Sequence, residues 1–92
     1  MAKQMSPKQK VGFTFFAPEA QSVSLAGSFT QWEQNAAGLK KQKSGLWKTQ
    51  LALEAGVHEY RFLVDGQWRD DPACSQRVPN SFGSENCVRV VE

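Results

Sequence analysis

Trp68 stands two residues beyond an Asp65-Gly66 pair in the stretch EYRFLVDGQW, and Trp32 stands in the polar run FTQWEQN. A tryptophan in either setting caps the edge of a core or offers a flat apolar plate to a ligand. Alternation along the first stretch puts Arg61 on the face opposite Tyr60 and Phe62, so a returning strand would bring Trp68 beside a guanidinium. An aromatic plate with hydrogen-bonding groups at its rim suits a sugar. A pyranose ring has an apolar face of C–H groups, and its hydroxyl rim is satisfied by arginine, asparagine and glutamine. The same parts stack nucleobases. Against a nucleic acid stands the placement of charge: Lys40, Lys41 and Lys43 form one cluster away from the aromatics, which reads as solvated surface.

Other chemistries find little support. No spacing matches a zinc-protease helix, a dinucleotide or phosphate loop, or a nucleophile elbow. The chain has one histidine and two cysteines, Cys74 and Cys87, without metal-ligand spacing. His58 shares a strand face with Tyr60 and Phe62 and reads as packed against a sheet. Asp65, Asp70 and Asp71 resemble paired glycosidase carboxylates only in number, since Asp65 belongs to a turn and Asp70-Asp71-Pro72 opens a loop. No catalytic residue, metal or cofactor is expected. The formal net charge of +2 demands no acidic partner. Two cysteines do not make a disulfide scaffold, so free thiols are expected. With no signal-like start and no long apolar run, cytoplasmic residence without a membrane span is the expectation.

The elements that must position these residues are short strands. The 92 residues suit one domain. Residues 1–9 read as a flexible arm, and residues 10–92 as the folded unit. KVGFTFFA places Phe13 and Phe15 on one face. SVSLAG turns Val23 and Leu25 inward, and LWKTQLAL does the same with Trp47, Leu51 and Leu53. In the strand from Val57 to Val64, Tyr60, Phe62 and Val64 face one way and Glu59, Arg61 and Leu63 the other. Asp65-Gly66 predicts a type I′ hairpin turn into a short Gln67–Arg69 strand. ENCVRVV closes the chain, with Val88 and Val90 inward by alternation. Residues 28–45 and 70–84 read as long loops, the first with at most one helical turn. The fold class is all-β: an immunoglobulin-like β-sandwich of six to eight short, mainly antiparallel strands.

The motifs VSLAGSFTQW, GVHEYRFLVDGQWRDDP and FGSENCVRV resemble carbohydrate-binding module family 48, and within it the glycogen-binding domain of the AMP-activated protein kinase β subunit. The resemblance runs from about Val11 to Val91. It implies an early-set immunoglobulin-like fold and non-catalytic binding of α-1,4-linked glucans: glycogen, starch or maltooligosaccharides. It also implies site residues. Trp32 and Trp68 match the sugar-stacking tryptophans, Arg61 stands for a lysine and Phe82 for a leucine beside the glucan. Ser84 stands for a threonine and Asn86 matches the key asparagine, with Gln67 a lesser candidate. Glu85 and Cys87 depart from the pattern. The alternative function is a structural or regulatory module whose exposed tryptophans dock on a glycogen-metabolising enzyme, a kinase-like partner or a second copy of the chain.

Overall fold

The computed structural model describes residues 8–81 and 83–92, without the side chain of Glu33. Nine strands stand among the described residues: β1 (Gln9–Phe16), β2 (Val23–Gly27), β3 (Ala37–Gly38), β4 (Lys40–Lys41), β5 (Leu46–Leu53), β6 (Gly56–Val64), β7 (Gln67–Arg69), β8 (Arg77–Pro79) and β9 (Glu85–Val91). Two antiparallel sheets form, β1-β5-β4 and β3-β2-β6-β9-β8, with β7 paired to β6. The result is an all-β, immunoglobulin-like sandwich. Strand β1 begins at Gln9, one residue before the expected start; residues 1–7 lie outside the described residues.

The alternation predicted for β1, β2, β5 and β6 builds the core. Phe13, Val23, Leu25, Trp47, Leu53, Tyr60 and Phe62 are all buried. Phe13 meets Tyr60 edge-on with ring centroids 5.1 Å apart, and Phe15 lies 4.9 Å from Phe62. The indole of Trp47 donates to the Ala17 carbonyl at 2.8 Å, so its one polar atom is satisfied where the ring is buried. His58 is half-buried, its Nε2 2.8 Å from the Glu54 carbonyl and its ring edge-on to Phe29.

Two expectations need correction. Val90 does not face inward: it is 47% exposed, while Val91 and Cys87 are buried. The inner face of β9 is Cys87, Arg89 and Val91. Alternation misread it because Arg89 looks like a surface residue. Its guanidinium lies 4.5 Å from the Phe13 ring centroid and donates to the Gly12 carbonyl at 3.1 Å, so the charge is held inside the open edge of the sandwich. Nor are the long loops structureless. Leu39, 7% exposed, is the pivot on which residues 37–41 cross from β3 in one sheet to β4 in the other. In the second loop, β8 forms an edge strand. Pro79 is tolerated there because an edge residue need not donate to a further neighbour.

Candidate functional site

The outer face of β6 carries the site. Its inner residues, Tyr60, Phe62 and Val64, are fixed in the core, so Glu59, Arg61 and Leu63 must face away. Asp65 and Gly66 take φ of 51° and 82°, the two positive values of a type I′ turn. The Asp65 carboxylate also accepts the Gln21 and Ser22 amides at 2.8 and 2.9 Å, tying the hairpin to the loop before β2. The turn sets Trp68 opposite Leu63, on the face of Arg61. Trp68 is 39% exposed, and the Arg61 guanidinium carbon lies 5.7 Å from its ring centroid.

Trp32 arrives from the other side. Gln31 and Trp32 both lie in the left-handed region, with φ of 57° and 60°, at the entry to a single 3-10 turn over Trp32–Asn35. That conformation is costly for residues with a Cβ and survives only where neighbours enforce it. Here the Thr30 hydroxyl accepts from the Gly27 amide at 3.0 Å and lies 2.9 Å from the Trp32 carbonyl, while Asn35 Nδ2 donates to Gln31 Oε1 at 3.0 Å. The two indoles meet edge-on, centroids 6.4 Å apart and planes at 69°.

Between and beside them runs a groove of about 610 Å³. Two polar networks line or border it. Arg61 Nε donates to Asp70 Oδ1 at 3.1 Å, and Arg77 Nη1 holds Asp70 Oδ2 at the same distance. Asn86, 6% exposed, donates to Glu59 Oε1 at 3.0 Å and accepts from Asn80 Nδ2 at 3.0 Å. Pro79 and Ser81 complete the lining. Around the groove, two arginines face two carboxylates, Asp70 and Glu59, so formal charge nearly cancels.

Of the residues named from sequence, Trp32, Trp68, Arg61 and Asn86 line this one groove. Gln67 pairs with Val64 and falls on the other side of β7 from Trp68. Ser84 borders an adjacent depression with Asp70 and Asn80, and its amide donates to Asn80 Oδ1 at 3.1 Å. Phe82 lies outside the described residues. Glu59, Asn80, Ser81 and Pro79 were not anticipated. Glu59 was readable, since it shares the alternation face of Arg61. The other three sit in a segment with no periodicity to read.

Behind the groove lies a buried polar pair. The Tyr60 hydroxyl donates to Asp71 Oδ2 at 2.6 Å, and Asp71 is 5% exposed. Burial, then the Asp71 hydrogen bond, pushes the Tyr60 phenol far above its ordinary range. Asp70 and Asp71 are thus occupied by Arg61, Arg77 and Tyr60 and do not face each other as a catalytic pair. Among the described residues no cluster of three or more histidines, cysteines and carboxylates could hold a metal ion.

Known proteins share this pattern. The chain is 36% identical over 72 residues to Protein PTST homolog 2, chloroplastic, of Arabidopsis thaliana, covering 78% of this chain and 13% of that one. It is 40% identical over 70 residues to the 5'-AMP-activated protein kinase subunit beta-1 of Sus scrofa, covering 76% and 54%. The chain therefore spans only part of the length of these curated relatives. A crystal structure of apo pullulanase from Paenibacillus barengoltzii shares the fold, with a TM-score of 0.58 and 20% identity over 95% of this chain and 14% of that one. The family described as the glycogen recognition site of AMP-activated protein kinase matches residues 11–92, and the chain belongs to that family of carbohydrate-binding modules.

Proposed function

We propose that this domain binds α-1,4-linked glucans without catalysis, on the groove between Trp32 and Trp68. The observation that carries the reading is the indole corner: an exposed Trp68 ring and a half-buried Trp32 ring, centroids 6.4 Å apart with planes at 69°. An α-1,4 chain curves, so successive glucose rings present their C–H faces at an angle. Two aromatic planes set at an angle match successive units better than one flat strip. Arg61 and the Glu59–Asn86–Asn80 network supply donors and acceptors for the ring hydroxyls, with Asn86 acting through its neighbours as much as directly. The near-cancellation of charge suits a neutral polysaccharide and disfavours a polyanion. The family's description names glycogen, which has this linkage.

Retention on amylose or glycogen, released by maltoheptaose, tests the proposal. Binding in the micromolar to millimolar range is expected: each stacked indole contributes roughly 1–2.5 kcal/mol, and association consumes several. A chain that stays in the supernatant and instead shows a concentration-dependent mass would overturn the reading in favour of a docking module.

A further inference from the structure

Two consecutive aspartates leave β7 and turn opposite ways. Strands β7 and β9 share the edge of β6 away from β2, β7 pairing at Phe62–Val64 and β9 at Gly56–Tyr60. Asp70 and Asp71 follow β7 into the gap between them. Asp71 is fixed inward: its carboxylate accepts the Tyr60 hydroxyl at 2.6 Å and the Ala73 amide at 2.9 Å, and its own amide donates to Cys87 Sγ at 3.3 Å. Asp70 is left on the outer side, where Arg61 stands. Its two oxygens are divided. Oδ1 accepts from Arg61 Nε and Oδ2 from Arg77 Nη1, both at 3.1 Å. Arg77 Nη2 also reaches the Asp71 carbonyl at 3.5 Å. Among the described residues, Arg61 lines the indole groove while Asp70 and Arg77 do not, and no hydrogen bond occupies Arg61 Nη1 or Nη2.

We propose that Asp70 is a positioning residue for the glucan site, held in place by Arg77 and acting only through Arg61. The inference rests on the glucan reading above and deepens it. Arginine is long and rotamer-rich, and a free one must be ordered when it meets a ligand. Here Asp70 takes the guanidinium at its inner nitrogen, Nε, and the Trp68 ring lies 5.7 Å from its central carbon. Together they orient the planar group before any sugar arrives. Nη1 and Nη2 are left as paired donors for two neighbouring ring hydroxyls. Arg77 has its own part in this. A carboxylate beside a guanidinium tends to close a two-point contact, which would occupy one of the Nη donors as well as Nε. Arg77 takes the second oxygen, Oδ2, and so restricts Asp70 to the single contact at Nε.

Maltoheptaose titrations of the whole chain, followed by NMR, test the proposal. Asp70→Ala should weaken binding about 3- to 10-fold, the range expected when one arginine must be ordered on binding. Asp70→Asn, which keeps a neutral acceptor for Nε, should weaken it less. Melting of both variants should stay within about 3 °C of the parent, since a pair this exposed adds little stability. In an Arg61→Met background, Asp70→Ala should change affinity by less than about 1.5-fold, because the group it acts through is gone. A readout without ligand is the Arg61 Nε–H resonance, which should be protected from solvent exchange in the parent and exchange faster in Asp70→Ala. Parent-like affinity in Asp70→Ala would overturn the proposal, as would an Nε–H equally protected in both chains. A loss of equal size with and without Arg61 would also overturn it, and would mean that Asp70 meets the glucan directly from the adjacent depression it borders. If the parent itself binds no glucan, the glucan reading falls and the ligand half of this proposal with it, while the Nε–H signal still decides whether Asp70 holds Arg61.

Discussion

Trp68→Ala should weaken glucan binding about 7- to 60-fold while leaving the sandwich folded. The ring is 39% exposed. A tryptophan side chain carries up to roughly 250 Å² of surface, so about 100 Å² faces solvent in the free protein. A glucose ring stacked on it covers about half to all of that area. At about 25 cal/mol per Å², the covered area is worth about 1.2–2.5 kcal/mol, which gives that range in Kd. Trp32 also loses its edge-on partner, which adds to the loss in binding and not to the core. Unfolding cost should stay near 1 kcal/mol or below, because the ring contributes little to the buried cluster. Isothermal titration with maltoheptaose and mobility in amylopectin gels measure the binding. Emission from Trp47, whose indole is buried and bonded to Ala17, reports the fold. A folded variant that binds within twofold of the parent in both assays would refute the assignment of Trp68 to the ligand.

Four further outcomes are expected. Glu59→Gln keeps shape but removes the charged acceptor of Asn86, and should weaken maltoheptaose binding about 3- to 10-fold with little change in melting; unchanged affinity would remove Glu59 from the site. Tyr60→Phe leaves the buried Asp71 carboxylate without its 2.6 Å donor and should cost about 2–3 kcal/mol, read as a lower urea midpoint; an unmoved midpoint would deny the pair any net worth. Tyr60 and Cys87 both have folded pKa values raised by burial, so their contributions are complete below the unfolded thiol value of 9.0 and fade as pH climbs toward about 12. The reduced chain should therefore melt progressively lower across that alkaline window, and a flat profile would contradict the burial of these groups. Gly27→Ala would put a Cβ 2.5 Å from the Glu59 carbonyl oxygen and should cost about 2 kcal/mol or more by thermal melting; wild-type stability would mean the β2–β6 approach is looser than described.

Alternation made most of the sandwich legible because its inner faces are aromatic and aliphatic without interruption, as in the Tyr60, Phe62, Val64 series. It failed on β9, where Arg89 takes an inner position by lying across Phe13, a cation–ring contact that hydropathy cannot register. It also missed the crossing at Leu39, one apolar residue between short strands with no repeat to reveal them. The site divides in the same way. Trp68 and Arg61 follow from turn chemistry and period two. Asn80 and Ser81 reach the groove only because β8 pairs with β9, a long-range pairing that no local pattern announces.

The indole corner is set by backbone, and this bears on how the groove works. Trp68 is placed by a type I′ turn whose aspartate is tied to the loop before β2; Trp32 is placed by two consecutive left-handed residues held by Thr30. Neither arrangement needs a ligand to form it. Residues held at positive φ cost of order 1–3 kcal/mol each, and here that cost is met by the rest of the fold before any sugar arrives. A weak, shallow site gains most from such preorganisation, because few of its contacts remain to offset ordering on binding. The Thr30 hydroxyl fixes the carbonyl of Trp32 at 2.9 Å. The angle between the rings thus depends on a hydroxyl that holds the Trp32 backbone, as much as on the two tryptophans themselves.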